Sequence, residues 1–455
     1  MNPLNYAKLN AALMQIPRTG RWWIAYSGGL DSHCLLHILA NRSAELPLLT
    51  AVHVDHGLNP QSKKWASHCA STCAQLGISY QIAQIKIDVQ SGESREAAAR
   101  AARYSSFAQF LAPGDVLITA HHQNDQAETL LLQLLRGAGV CGLSAMASLM
   151  LFHKGYLARP LLNFSRAELC AYAQLVGLTW IEDDSNSDIS YDRNYLRRRI
   201  IPLLLERWPS ANSTIARAAH HQAEAAILLE NYAQQDLAMV QGIELHTVRV
   251  AGLLSLRAER ARNVIRYWIR SRGYLLPSAA IIEQILQIAA ARWDSTPLLR
   301  WEGCELRRYR DLIYLMAPLS PPPHKDFCAE WHNINFPLQL PWGVLSARYI
   351  ENEQGISTKN CAAGFTVRFR RGGEKCHRAQ DVYQRPLKNL WQQLGVPHWE
   401  RIRTPLLFIG RELAAIPGVG VCHQFQNSSG EPAWKIDWQS EEKSSKLVSY
   451  QLRNS

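Results

Sequence analysis

Residues Trp22–Leu39 read WWIAYSGGLDSHCLLHIL, and the change of pattern inside that run decides the fold. Trp22 to Tyr26 is a short apolar stretch, the mark of a buried strand. Leu30, Cys34, Leu35, Ile38 and Leu39 then recur at three- and four-residue steps, which is one face of a helix. Between the two, Gly28 and Gly29 permit positive φ and let a ligand approach with no Cβ in the way. A strand feeding such a loop into a helix start presents several unpaired N–H groups where the helix dipole favours an anion. The stretch therefore predicts a phosphate cradle. No G-K-[ST] closes it, so it is not a Walker loop. Asp31 would repel a polyphosphate unless it holds a divalent cation, while Ser27 and Ser32 offer hydroxyls to phosphate oxygens.

Strand-like and helix-like segments keep alternating as far as residue 135. LPLLTAVHVDH (46–56), ISYQIAQIKI (78–87) and DVLITAHH (115–122) read as strands. WASHCASTCAQLG and ESREAAARAARYSSFAQFL read as the helices between them. Such alternation predicts an α/β fold, a doubly wound parallel sheet, with ligands outside the carboxyl ends of the strands. Tyr26, Asp55 and His121 fall at such ends. From about 193 to 300 the pattern is mostly helical. APLSPPPHKD (317–326) reads as a linker, and short alternating segments beyond it predict a small α/β unit. The expected domains are thus 1–215, a helical middle domain 216–320, a linker and domain start 321–345, and a basic domain 346–440.

Composition narrows the partners. The chain has 455 residues, is 47% hydrophobic and carries a formal net charge of +11. That balance favours a polyanion as partner. No apolar run approaches the roughly 20 residues needed to cross a bilayer. No signal-peptide pattern is present, and the ten cysteines are scattered, which argues against a secreted disulfide framework. A reducing cytoplasm is the expected setting.

Three further stretches carry chemistry. Glu96, Arg100 and Arg103 lie at i, i+4 and i+7, so two guanidiniums share a helix face. TAHHQNDQAETLLLQLLRGAGVCGLSAM (119–146) sets His121 and His122 at a strand end and Asp125, Gln126 and Glu128 in the next helix start. Its spacing matches no standard zinc pattern, and the chain has no C-x2-C. Arg193, Arg197, Arg198 and Arg199 crowd one helix start, where they oppose the dipole and point to anion contact.

In order, the motifs are S-G-G-L-D-S (27–32), V-D-H-G-L (54–58), E-x2-A-R-x2-R-Y (96–104), H-H-x2-D-Q-x-E-T (121–129), R-G-x-G-x2-G-L (136–143), R-P-L-L (159–162), and D-x-N with R-N-x2-R (184–197). The first resembles the loop of the PP-loop ATP pyrophosphatases, of adenine nucleotide alpha hydrolase-like fold. The ordered set, with G-V-P-x-W-x-R and P-L-L near the C-terminus, resembles the tRNA(Ile)-lysidine synthetase family. That resemblance implies ATP and Mg²⁺ as cofactors, L-lysine and an isoleucine tRNA with a CAU anticodon as partners, no membrane, and a homodimer as one oligomeric option. It implies catalytic roles for Asp31, Asp125, Arg100 and Arg193, and metal binding by Asp31 and Asp125. Nucleotide would be held by Ser27, Gly28, Gly29, Leu30, Asp31, Ser32, Asp55 and His121. Arg103, Arg197, Arg370, Arg371, Lys388 and Arg401 would meet the tRNA. The family carries two aspartates where this chain has Asn124-Asp125, so Asp125 alone is left to serve a metal there.

Between 361 and 413 ten Lys/Arg stand against four Asp/Glu, interleaved with Phe369, Tyr383, Trp391 and Trp399, a mixture suited to RNA. Two of these aromatics are expected in the core. The rival readings are another PP-loop enzyme, such as a thiolase or an amide-forming synthetase, and a non-catalytic RNA-binding protein. Thiolases of this class commonly use C-x2-C pairs and the amide-forming relatives a glutamine-hydrolysing domain. Intact Ser27–Ser32 and Asp125 argue against the degenerate loop of a mere binder, while Asn124 keeps that reading open.

Overall fold

Successive side chains of β1 (Trp22–Ala25) point to opposite faces, and both faces are apolar. Trp22 and Ile24 enter one core with Leu35, Leu39, Phe164 and Leu169, whereas Trp23 enters another with Val52, Val54, Phe107 and Leu117. A strand buried on both sides needs helices on both sides, which is the physical content of the doubly wound arrangement. The computed structural model describes residue 4 and residues 6–440, apart from 56–60, 86–94, 183–187, 293–294, 352, 363, 379–380 and 382. The chain forms two compact units, one reaching Asn231 and the other starting at Tyr232.

The first unit begins with α1 (Tyr6–Met14), β1 and α2 (Leu30–Ala40), followed by β2 (Leu49–Asp55) and α3 (Ser62–Gln75). Next come β3 (Ser79–Gln84), α4 (Arg95–Phe110), β4 (Val116–Ile118), α5 (Gln123–Leu135) and the short α6 (Val140–Leu143). A hairpin of β5 (Leu149–Phe152) and β6 (Gly155–Ala158) leads into α7 (Arg166–Leu175), and α8 (Asp192–Tyr195), α9 (Ile201–Arg207) and the start of α10 (Ala211–Val240), which runs on into the second unit, complete the series. Sheet order is β3-β2-β1-β4-β6-β5, parallel except for the β5 edge. Strand order reverses between β1 and β4, so the ligand crevice of this topology opens where the loops after those two strands meet. Leu196–Ile200 forms a π-helical turn between α8 and α9.

In the second unit α11 (Val250–Ser255), α12 (Ala258–Ser271) and α13 (Ala279–Ala290) share a core with a sheet. Its strands are β7 (Thr247–Arg249), β8 (Leu298–Trp301), β9 (Cys304–Tyr309) and β10 (Leu312–Met316), in the antiparallel order β7-β10-β9-β8. The helical reading of this region is joined by a sheet that periodicity did not reveal, because its strands alternate over only three to six residues. Beyond residue 327 a five-stranded and a four-stranded sheet, both antiparallel, surround one apolar core with Trp331, Phe365, Leu390 and Trp391. Cys376 and Cys422 form a disulfide there and the other eight cysteines are free, a pairing that scattered positions in sequence did not disclose.

Candidate active site

Gly28 takes φ +83, a conformation that calls for glycine, and a Cβ there would crowd the Ile181 Cδ1 (2.7 Å) and Cys69 Sγ (3.0 Å) side-chain ends. The loop is pinned from within and from outside. Ser27 Oγ and Ser32 Oγ are 3.0 Å apart, the Gly29 N–H donates to Ser27 Oγ, and the Ile181 N–H donates to the Gly28 carbonyl at 2.9 Å. The two serine hydroxyls expected at phosphate oxygens therefore also hold the loop in shape. Gly29 caps α2 without any side-chain bond, which leaves the first amides of that helix, from Leu30 to Ser32, to an anion.

Asp31 opens α2, and β4 delivers its counterpart. His122 is the N-cap of α5: its Nδ1 accepts the Asp125 N–H at 3.4 Å, and Asp125 Oδ2 accepts the His122 N–H at 3.0 Å. That reciprocal pair is a capping box with histidine in the usual serine position. With Nδ1 accepting, Nε2 faces Asp31 Oδ2 at 3.5 Å and Asp125 Oδ2 at 3.4 Å, so His122 bridges the two carboxylates. Burial disfavours the imidazolium, but Asp31, Asp125 and Glu128 outweigh it and raise the His122 pKa. For Asp125 burial acts upward, and the opposing pull of His122, Arg193 and His121 brings the carboxyl down to about 2. Asp125 is thus a carboxylate throughout the ordinary pH range.

A second row stands behind the first. Glu128 is 1% exposed, one turn along α5 on the same face as Asp125. Its oxygens accept Arg193 Nε at 2.8 Å and Arg197 Nε at 2.6 Å, and Arg197 Nη2 adds a bond at 2.9 Å. Asp125 Oδ1 accepts Arg193 Nη2 at 3.2 Å and Arg197 Nη2 at 3.0 Å. The i, i+4 spacing across the π-helical turn brings both guanidiniums to the same two carboxylates. Arg193 and Arg197 were separate expectations, one for catalysis and one for RNA; here they form a single brace.

Asp31 Oδ1 is buried and has no hydrogen-bond partner in the protein. A bare buried carboxylate oxygen is costly, and with Asp125 across His122 it fits a divalent cation. Among the described residues no group of three or more His, Cys, Asp or Glu could hold a metal ion by itself. Two carboxylates suffice where phosphates and water complete the shell, as Mg²⁺ prefers. Asn124 acts elsewhere, since its Oδ1 accepts the Arg166 N–H at 3.1 Å and ties α5 to α7.

His121 Nδ1 lies 2.8 Å from Thr119 Oγ1. Burial pushes its pKa down to about 3, and Arg159, Arg193 and Arg100 add to that push against Asp125, so the ring is a neutral group facing cations. Arg100 lies over the Tyr104 ring at 5.1 Å. Arg159, the first residue of the R-P-L-L motif, is 5% exposed, donates to the Ala147 carbonyl at 2.6 Å and leaves its Nε buried without an acceptor. Asp55 ends β2 and Arg103 lies on α4, each partly exposed. His56 to Leu58, 184–187 and the Glu96 side chain lie outside the described residues. Glu128, His122 and Arg159 escaped assignment from sequence; the i, i+3 spacing of Asp125 and Glu128 was the available signal for the first.

Three family models match in order along the chain. A PP-loop domain covers residues 3–204, a TilS substrate binding domain 249–314, and a TilS substrate C-terminal domain 365–438. Curated relatives extend over nearly the whole length. The tRNA(Ile)-lysidine synthase of Coxiella burnetii is 40% identical over 95% of this chain and 96% of its own. Those of Alkalilimnicola ehrlichii and Methylococcus capsulatus are 43% and 41% identical, over 91% and 87% of this chain and 93% and 90% of their own. This chain belongs to the tRNA(Ile)-lysidine synthase family.

Within the C-terminal region the structure sorts the basic residues that the family resemblance assigned to RNA. Lys388 is exposed. Arg371 is exposed too, though its Nε donates to the Lys325 carbonyl at 2.7 Å. Arg370 lies over Trp391 at 5.9 Å. Arg401 turns inward instead: it is 8% exposed, and its guanidinium donates to the Val396 carbonyl and the Tyr309 hydroxyl, each at 2.7 Å. Phe369, Trp391 and Trp399 are all buried, one more than expected, and Tyr383 alone of the four is exposed, at 77%.

Proposed function

We propose that this protein, in the cytoplasm, joins free L-lysine to C2 of the wobble cytidine in the CAU anticodon of a minor isoleucine tRNA. In the first step cytidine O2 attacks the α-phosphate of ATP, the bond to the β-phosphate breaks, and pyrophosphate leaves. In the second the lysine ε-amine attacks C2, loses a proton, and AMP departs with O2. The observation that carries the reading is the opening of uncapped α2 amides beside the Asp31–His122–Asp125 row, in a chain of this family.

Leaving pyrophosphate would sit on the loop Ser27–Ser32, with the main-chain N–H groups of Leu30 to Ser32 offsetting its growing charge. Asp31 and Asp125 would hold Mg²⁺, which when bound screens the phosphates and polarises the α-phosphate. Glu128 fixes Arg193, whose guanidinium, with that of Arg100, would face charge developing around the α-phosphate. His121, neutral, would contact the nucleotide without adding charge, and Asp55 would border it. Arg370, Arg371, Lys388 and Arg103 would meet tRNA phosphates.

Transfer of labelled lysine to purified tRNA(Ile) with a CAU anticodon tests the reading. We expect incorporation that needs ATP and Mg²⁺ and yields one pyrophosphate per lysine. Tight tRNA binding with no lysine transfer would select the non-catalytic alternative.

A further inference from the structure

The G-V-P-x-W-x-R motif (395–401) stands in a basic stretch that by composition suits RNA, yet its two largest side chains face the protein. Trp399, on the short helix His398–Arg401, is 3% exposed. It forms a separate apolar cluster with Tyr314 and Met316 of β10, flanked by Tyr309, Leu312 and Leu319. Its ring meets those of Tyr309 and Tyr314 edge to face, at 6.2 and 5.3 Å, and Arg307 lies over it at 5.3 Å. Arg307 is itself held by buried Glu305, whose carboxylate accepts its Nε at 2.7 Å. Arg401, buried as well, donates to the Val396 carbonyl within the motif and to the Tyr309 hydroxyl across on β9. From the opposite direction Arg310, in the turn between β9 and β10, donates to the Gln392 carbonyl near the end of the helix Leu387–Gln393. The core beyond residue 327 closes around Trp331, Phe365, Leu390 and Trp391, and Trp399 belongs to a different cluster. The motif therefore fastens one module of the second unit to another.

We propose that Trp399 and Arg401 are positioning residues, a latch that locks the C-terminal sheets onto the β7-β10-β9-β8 sheet so that one tRNA meets both modules at a set spacing. Arg370, Arg371 and Lys388 belong to the C-terminal module, and α12 exposes Arg266 and Arg270 on the other, one helical turn apart. Joined through the Pro-rich segment 317–326 alone, the two would drift apart by up to about 30 Å. Each set of RNA contacts would then bear its own entropy of docking. Held together beforehand, both sets reach one RNA at once, and the second costs little further ordering. The gain falls on tRNA affinity and leaves the chemical step alone. The inference rests on the tRNA reading above and adds residues that raise affinity without touching RNA.

The test compares the full chain as wild type and as W399A, with whole tRNA(Ile) and with its isolated anticodon stem-loop. W399A should raise the KM for tRNA about tenfold, while kcat, the KM for lysine and for ATP, and affinity for the stem-loop stay within about twofold. W399F, which keeps an aromatic ring in the cluster, should restore most of the tRNA affinity. Limited proteolysis reads the latch directly: W399A should be cut faster within 317–326, with the pieces on either side still resistant. Should W399A fail to fold, R401Q must show the same split between whole tRNA and stem-loop. Equal weakening of the two RNAs overturns the proposal, because the motif then acts where RNA touches it. So does unchanged tRNA affinity in a W399A chain whose Pro-rich segment has become open to cleavage, since the modules have then come loose without consequence. Wild type that binds no tRNA would refute the functional reading, whereas unchanged proteolysis of folded W399A would refute the latch.

Discussion

Two buried glutamates each hold a pair of arginines, and the pairs are differently supported. Glu128 in the first unit binds Arg193 and Arg197, and Asp125 binds the same two. With Asp31 the region has three carboxylates against two guanidiniums and His122. Glu305 in the second unit binds Arg300 and Arg307. A desolvated carboxylate with two guanidiniums is a rigid corner whose net worth to stability is small, because desolvation cancels most of the attraction. What lies around the corner differs: Asp125 accepts from the same two arginines as Glu128, whereas Arg307 beside Glu305 also lies over the Trp399 ring.

The largest effect should follow from Asp31→Asn, which removes charge from the proposed cation seat while conserving shape. Lysine transfer is expected to fall at least about 100-fold, with tRNA affinity, measured by filter binding, within about twofold of wild type. A variant that transfers lysine at near-normal rate would dissolve the contrast, since the cation seat would then be unnecessary.

Glu128→Gln and Glu305→Gln probe the shared corner. Each removes a buried carboxylate charge facing two arginines and should cost up to about 3 kcal/mol of stability in its own unit, read as a shift of one thermal transition. Glu128→Gln should shift less than Glu305→Gln, because Asp125 still accepts from both of its arginines. The reverse order would mean that Asp125 adds nothing to the brace.

Protonation gives a smaller difference. His53 is 5% exposed with Nδ1 3.0 Å from the Tyr26 carbonyl, and burial lowers its pKa from 6.5. The unfolded chain gains a proton near pH 6.5 that the fold resists, so stability of the first unit declines as pH drops below 6.5, by up to about 1 kcal/mol per pH unit. His398 in the second unit shifts in the same direction but is exposed, and its contribution should be smaller. Calorimetry at pH 7 and pH 5.5 on wild type and His53→Asn checks this, with the variant expected to lose the acid slope. The smallest effect belongs to Lys388→Ala, exposed on the basic surface: stability within about 0.5 kcal/mol of wild type, and a salt slope for tRNA lower by about 0.7–0.9.

Much of the first unit was legible in sequence because its signals are local. The loop Ser27–Ser32 reads correctly since glycine at a positive φ, an apolar strand and an amphipathic helix need no distant partner to be recognised. The order of strands was less accessible. The reversal between β1 and β4, which juxtaposes Asp31 with His122 and Asp125, joins segments about 90 residues apart. Arg401 shows the limit from the other side: a basic residue in a basic stretch reads as an RNA contact, and only packing against Tyr309 turns it inward.

By itself the sequence determined the elements of the first unit, the glycine loop with its aspartate, and the excess of positive charge, because each follows from periodicity, from the stereochemistry of glycine or from counting. Tertiary structure decided which charges neutralise one another. The pairing of Glu128 with Arg193 and Arg197, the bare oxygen of Asp31, and the pairing of Glu305 with Arg300 all arise between residues from different elements. Coulomb energies there depend on distance and burial, and neither quantity is written in the order of residues.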